Sequence, residues 1–292
     1  MSVFQLDVAA DELAAGKLSP ERARQAVNAL KQDGVVVLAN IVSQDSIKTL
    51  LDRSLQDLEL LLARPDSPYN WTKGNVQQNP PPFPPYLFRD ILVNDIVIQI
   101  THAVLGNGLK CGFYSGNTAL QSEARQPVHA DEGQLWKGLE HASPAHSLVV
   151  NVPLVDMSPE NGSTEVWPGT HLDTSVAIQD GEIEASEEAL AFWRTKSGPI
   201  QPVVSAGSVV IRDIRMWHAG MPNHTPNPRP MIAMIHSVSW WPSGKVPFQK
   251  GSEPYLQHPI LNWEAEFIDG EIDHIGTVGG YKAEEAENPS NL

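Results

Sequence analysis

Apolar and polar positions follow two different periods along this chain, and the period changes near residue 109. Before that point it is helical. Ser19-Pro20-Glu21 opens a first helix: a hydroxyl cap, a proline where no amide donor is needed, and an acid at the positive end of the dipole. The helix runs to about Lys31 and stops before Gly34. Val35-Val36-Val37-Leu38 reads as a buried strand between Gly34 and Asn40. Ser43 opens a second helix, whose Ile47, Leu50, Leu51, Leu55, Leu58, Leu61 and Leu62 fall on one stripe at spacings of three and four. A third helix is predicted over Asp90–Leu105, ahead of Gly106-Asn107-Gly108. From Arg64 to Pro85 no period survives, and the proline run from Asn79 to Pro85 excludes helix and interior strand alike. Long unpatterned segments in compact domains serve as lids or are disordered. Tyr69, Trp71, Phe83, Tyr86 and Phe88 favour an ordered lid over a site, placed at residues 66–88.

After residue 109 the texture becomes short strands and turns. Strands are predicted near Lys110–Ser115, Arg125–Asp131, Ser147–Asp156, Ser163–Trp167, Ser208–Arg212, Met216–Ala219 and Met231–Trp240. That rhythm indicates a sandwich or barrel. Asp180–Gly198 reads as an acidic insertion with a helix near Glu187–Thr195, and the polar tail after Trp241 as frayed. The predicted architecture is mainly β with α. One domain over residues 1–292 has a helical support (about 1–108), a jelly-roll or cupin-like core (about 109–240) and a C-terminal extension (241–292).

Composition narrows the partners. The chain has 292 residues, 41% of them hydrophobic, which is enough for a full core. A net charge of -15 argues against nucleic acid and anionic membrane as partners. No apolar run reaches a membrane span, and the start lacks a signal-peptide profile. Cys111 is the only cysteine, which excludes an internal disulfide and a cysteine-based zinc site and fits a reducing, cytoplasmic location.

The candidate chemistry centres on Gln126-Pro127-Val128-His129-Ala130-Asp131. If Ala130 lies in a strand, His129 and Asp131 share a face, because strand side chains alternate. A distant imidazole, His218, follows the apolar Gly207–Ile211 stretch, and Arg229 follows His218 across a turn-rich reversal. Two histidines and one carboxylate form a metal site with open positions. Iron held this way can bind a 2-oxo acid through two oxygens and dioxygen at the third position. The far carboxylate then needs a planar cationic donor, and Arg229 supplies one. The same triad also suits a zinc hydrolase, and a non-catalytic metabolite-binding jelly roll with structural histidines is a third reading. Phe113, Tyr114, Leu135 and Trp136 suit a pocket for a small, partly apolar molecule, and residues 132–146 form a second candidate lid. Trp136 reads equally as ordinary packing, and Trp217 as core.

Gln-x-x-His-x-Asp, Glu160-Asn161-Gly162-Ser163-Thr164 leading into Val166-Trp167-Pro168-Gly169-Thr170-His171, and Trp217-His218-Ala219-Gly220 ending in Arg229-Pro230 resemble the phytanoyl-CoA dioxygenase family. That is a branch of the iron(II)/2-oxoglutarate oxygenases with a double-stranded β-helix core. The likeness covers about residues 20–240. It implies His129, Asp131 and His218 as iron(II) ligands and Arg229 as the 2-oxoglutarate partner. It also implies cosubstrate contacts for Lys73, Gln126 and Thr164, dioxygen as oxidant, and C–H oxidation of a small molecule, with secondary metabolism ahead of lipid α-oxidation. A homodimer is a further implication. Asn151 stands where some relatives carry Trp, and Asp131 disfavours the halogenases that lack this carboxylate.

Overall fold

The computed structural model describes residues 2–176 and 183–281. Its elements in chain order are β1 (Gln5–Asp7), α1 (Ala10–Ala15), α2 (Pro20–Asp33), β2 (Val35–Ala39), α3 (Gln44–Leu62), β3 (Tyr69–Asn70), β4 (Thr72–Gln77), α4 (Arg89–Leu92), α5 (Asp95–Leu105) and β5 (Lys110–Ala119). They continue with β6 (Ser147–Pro153), β7 (Glu165–Val166), α6 (Glu187–Lys196), β8 (Val209–Asp213), β9 (His218–Ala219), β10 (Arg229–Ser237), β11 (Val246–Gln249), α7 (Glu253–Leu256), β12 (Asn262–Trp263) and β13 (Ala265–Ile268). Ser19 and Ser43 cap α2 and α3 through their hydroxyls, and Gly34 ends α2 at φ 79°, a left-handed conformation that costs glycine nothing.

One nine-stranded sheet organises the molecule, in the order β1-β2-β8-β6-β10-β5-β4-β3 with β12 also on β5. It does not close into a barrel. A short second sheet lies against it, in which β7 pairs with β9 and isolated bridges add His129 and Glu184 on one side and Ile200 on the other. The architecture is a jelly roll in which one sheet dominates, with helices on its outer face.

Strand alternation sorts the residues into layers. Val36, Leu38, Tyr114, Val150, Val152, Val209, Ile211, Ile232 and Met234 face the helices and form the large core with α2, α3 and α5. Val35, Val37, Val210 and Met231 face the other way and meet Met157, Val166, Val204 and Met216. Beyond the second sheet, Val128, Ala130, Trp167, Trp217 and Ala219 pack under Leu190 and Trp193 of α6. Each buried aliphatic side chain contributes about 1.5–3 kcal/mol against exposure, so the two faces hold the sheets in fixed opposition.

Four expectations are corrected. Residues 66–88 contain the hairpin of β3 and β4, which extends the main sheet beside β5, because Asn75, Val76 and Gln77 find register with Ala119, Thr118 and Asn117. The helix expected over Asp90–Leu105 is two helices, broken at Val93-Asn94, where the Asn94 side chain accepts from the amides of Ile96 and Val97. The strand expected at Arg125–Asp131 is reduced to bridges at His129. The segment after Trp241 is not frayed through Tyr281: Phe248 and Trp263 are buried against Tyr114 at 5.8 and 6.0 Å between ring centroids. The end of that tail, and Asp180 to Glu182 of the acidic insertion, lie outside the described residues.

Candidate metal centre

The second sheet carries three potential ligands inward while their neighbours point outward to α6. Val128 and Ala130 alternate with His129 and Asp131, and Trp217 and Ala219 flank His218. The backbones of His129 and His218 are paired, N–H to carbonyl in both directions at 3.0 and 2.8 Å. Two sequence-distant imidazoles thus end 4.3 Å apart, centroid to centroid. Asp131 Oδ1 lies 4.0 Å from His129 Nε2 and 3.5 Å from His218 Nε2, and one donor atom from each residue falls within 4.8 Å of the others.

The donor set fits a metal. His129 Nδ1 donates to the Pro127 carbonyl at 2.8 Å and His218 Nδ1 to the Met216 carbonyl at 3.1 Å. A carbonyl only accepts, so each Nδ1 carries the proton and each Nε2 turns a lone pair to the shared space. Burial lowers the pKa of both imidazoles, His218 the more strongly, which keeps them neutral and able to ligate. Burial alone would raise the Asp131 carboxyl. The Arg212 guanidinium beside it outweighs that and holds Asp131 ionised, well below the usual carboxylate range.

A cavity of about 250 Å³ opens beside the triad. Its lining includes Gln126, Thr164 and Arg229 together with His129, Asp131 and His218. Arg229, the first residue of β10, is 1% exposed. Among the described residues its only hydrogen-bond contact is Nη1 to Met157 Sδ at 3.7 Å, its Nε has no partner, and it forms no ion pair. Desolvation pushes its pKa down to about 10, so the group remains cationic at neutral pH. Gln126 spends its amide on scaffolding, accepting from Gly220 N at 2.8 Å and donating to the Asn70 carbonyl at 3.3 Å. A Cβ at Gly220 would lie 2.6 Å from Gln126 Oε1, so a larger residue there displaces the Gln126 amide.

Several residues expected at the site stand elsewhere. Lys73 is exposed on β4 and does not line the cavity. Of the four expected pocket residues only Phe113 lines it. Tyr114, its neighbour on β5, necessarily faces the helix side and is buried in the large core. Trp136 is 56% exposed and Leu135 half-buried, both off the cavity wall. The segment 132–146 is pinned: Arg215, paired with Asp213 at 2.7 Å, also holds the Ser143 carbonyl and Gln134 Oε1, and Glu132 meets His146 at 2.7 Å.

Sequence reasoning placed one residue only as a lid aromatic and missed another. Trp71, at φ 59°, lays its ring 4.0 Å from that of His129 and is covered by Tyr281 at 4.8 Å. No sequence signal marks a bulky residue in that backbone region. Arg212, on β8, donates through Nη2 to Asp131 Oδ2 and lies 3.4 Å from His218 Nε2. Its signal was legible: a cation ending the apolar run Val209-Val210-Ile211.

Comparison with known proteins bears on the family and the fold. The sequence profile of the family described as Phytanoyl-CoA dioxygenase (PhyH) matches residues 30–231. Ectoine dioxygenase of Sphingopyxis alaskensis is 20% identical over 75% of this chain and 77% of its own length. Dioxygenase af480 of Aspergillus fumigatus is 26% identical over 61% of this chain, and the match spans only 48% of that longer protein. Among solved structures, EctD from S. alaskensis with 2-oxoglutarate and 5-hydroxyectoine superposes with a TM-score of 0.55 at 19% identity, covering 76% of each chain. The epimerase SnoN in complex with Fe3+, alpha ketoglutarate and nogalamycin RO gives 0.56 at 14% identity, over 75% of this chain and 85% of that one. HygX from Streptomyces hygroscopicus with nickel, 2-oxoglutarate and hygromycin B gives 0.54 at 13% identity, over 85% and 97%. At these identities the structural likeness is one of fold.

Proposed function

The chain belongs to the phytanoyl-CoA dioxygenase family of iron(II)/2-oxoglutarate-dependent oxygenases, and from that premise we propose that His129, Asp131 and His218 hold the iron, that Arg229 anchors 2-oxoglutarate, and that the cavity oxidises a C–H bond of a small, partly apolar metabolite. One observation carries the assignment of residues. A guanidinium fully withdrawn from water, without an acid beside it among the described residues, shares a cavity with three convergent metal donors. A buried cation without a counter-ion is unfavourable, and the distal carboxylate of a dicarboxylic cosubstrate supplies the missing charge.

Cofactor and chain divide the labour. Iron and 2-oxoglutarate, when bound, supply oxidising power from dioxygen with release of succinate and CO2. The protein fixes the ligand lone pairs through the Pro127 and Met216 carbonyls, keeps Asp131 ionised through Arg212, and sets the cosubstrate's direction from Arg229. Thr164 and Asn117 line the same cavity, and the buried Asn117 Oδ1 has no partner among the described residues. Trp71 closes the cavity over His129 and limits entry of water to the reacting atoms.

The finer reading places the enzyme in secondary metabolism, acting by hydroxylation, desaturation or a related oxidation. It is supported by the company of an ectoine dioxygenase and of structures carrying nogalamycin RO and hygromycin B. We include in it the homodimer that the family implies, to be checked by light scattering, and a reducing cytoplasmic location, suggested by the single buried Cys111. No helix among the described residues is long and apolar enough to cross a membrane.

Anaerobic titration of the iron(II)-loaded protein with 2-oxoglutarate tests the central reading. A weak visible charge-transfer band is expected, absent in Arg229→Ala at matched concentrations. A wild-type protein that binds iron but develops no band, or that turns over a substrate without dioxygen, would overturn it.

A further inference from the structure

The main sheet places the two cavity arginines at opposite ends of one grid. Arg229 is opposite Ala119, and two residues along β10 Met231 is opposite Asn117. Next along, Ala233 is opposite Asn151. At the far end Ile235 is opposite Val149, and Val149 is opposite Arg212. Six residues of strand separate Arg229 from Ile235, roughly 20 Å between Cα atoms. A five-carbon dicarboxylate anchored on Arg229 and reaching the triad therefore uses the Arg229, Asn117 and Thr164 end. It leaves the other end for the organic substrate.

That other end has a distinct chemistry. Val149, Ala233, Ile235 and Phe113 give it an apolar wall, and Phe113 is 37% exposed. Arg212 is the cation there, 6% exposed. Its fork is half used: Nη2 is engaged by Asp131, whereas Nη1 is buried with no partner among the described residues. A guanidinium whose whole task was to orient Asp131 would not need a second nitrogen withheld from both water and protein, at a cost comparable to a lost hydrogen bond.

We propose that Arg212 binds a carboxylate of the organic substrate through Nη1, with the substrate's apolar part against Val149, Ile235 and Phe113. The inference rests on the iron/2-oxoglutarate reading and names the substrate class for it: an aliphatic or aryl carboxylic acid. One free nitrogen with two N–H groups suits a monoanionic carboxylate better than a doubly charged phosphate. Because Nη2 stays on Asp131, the bound carboxylate lies beside the metal ligands. The C–H bond presented for oxidation is then within a few bonds of the acid group.

The test uses nickel(II)-loaded protein saturated with 2-oxoglutarate, titrated calorimetrically with 3-phenylpropanoate and hexanoate and with their primary amides. Both acids should bind, and each amide should bind about tenfold more weakly for want of the charge-assisted hydrogen bond. Arg212→Met should erase that preference, and Arg212→Lys should keep part of it. In Arg212→Lys, which keeps a cation beside Asp131, 2-oxoglutarate should still bind within about threefold of wild type, which also shows that this variant is folded and loaded. The proposal is overturned if wild type binds the acids no better than the amides, if Arg212→Met keeps the preference, or if Arg212→Lys, with the charge beside Asp131 retained, loses 2-oxoglutarate itself, which would make the guanidinium a cosubstrate group. Failure of the underlying reading looks different: wild type would not take up 2-oxoglutarate before any acid is added.

Discussion

Arg229 and the triad make opposite demands on stability. Among the described residues the guanidinium is buried without a counter-ion, so replacing it with a methionine of similar volume removes an unfavourable burial. Arg229→Met should leave the melting temperature of the cosubstrate-free protein unchanged or raise it. It should also abolish the increase that 2-oxoglutarate gives wild type, since binding stabilises only in proportion to affinity. A large loss of stability in the free variant would show that Arg229 is paired in solution and would remove the argument for an anion site. The ligands line a cavity instead of filling a core, so His129→Ala and Asp131→Ala should retain the far-UV circular dichroism of wild type while succinate formation falls to background. Global unfolding of both would make these side chains structural. At this scale the sequence displayed the chemistry of His129, Asp131, His218 and Arg229, because each type has few other uses in that pattern. It offered Trp71 only as a lid aromatic, because its place over His129 depends on a hairpin and on Tyr281 arriving from the far end of the chain.

Strands assign sides, and β5 makes the consequence concrete. Phe113 and Tyr114 are adjacent and both aromatic, and composition alone suits both to the pocket. Alternation permits only one of them. Tyr114 is buried against Phe248 and Trp263, so Tyr114→Ala should cost about 3–5 kcal/mol, the range for removing a core aromatic ring. Phe113→Ala should cost under about 1 kcal/mol, because its ring is 37% exposed. Urea denaturation of the two variants measures the contrast, and equal losses would contradict the assignment of faces. Helices were the more legible elements: Ser19, Ser43 and Gly34 mark ends by local hydrogen-bonding chemistry. The break at Asn94 was hidden because Ile91, Leu92, Val93 and Ile96 are apolar throughout and mask the cap in mid-run. Asn94 also donates to the carbonyls of Ile41 and Asp90. Asn94→Ala should therefore cost about 1–2 kcal/mol, at the upper end for a helix cap.

Across the whole molecule, acid stability should follow imidazoles that the fold keeps neutral. His236 lies on the helix side of the main sheet, with Nδ1 3.0 Å from Thr101 Oγ1. Burial, with a smaller contribution from His258, pushes its pKa down to about 3 from an ordinary 6.5. The unfolded chain therefore takes up the proton first. The stability this group contributes is complete above pH 6.5 and is lost as pH falls from there towards 3, at up to about 1.4 kcal/mol per pH unit. His171, lowered mainly by burial, acts in the same direction. The urea midpoint of wild type should decline between about pH 6.5 and about pH 4.5, and His236→Gln should flatten that decline. Parallel pH profiles for the two proteins would remove His236 as a cause. The C-terminal segment belongs to the same whole: Trp263 donates to the Leu92 carbonyl at 3.1 Å, and His274 meets the buried Asp57 of α3 at 2.9 Å.

Sequence alone determined the chemical inventory and the local grammar: two imidazoles, a carboxylate and an arginine of suitable types, helices with their caps, and strands with their turns. These are properties of residues and near neighbours, set by side-chain chemistry and by backbone periods of about 3.6 and 2. Tertiary structure decided which faces of those strands meet, and so put Phe113 rather than Tyr114 on the cavity, kept Lys73 off it, and set Arg212 against Asp131. The physical reason is that facing depends on register between strands remote in sequence. Register is fixed by the packing of both sheet faces at once, a balance of many small burial terms that no short stretch of chain contains.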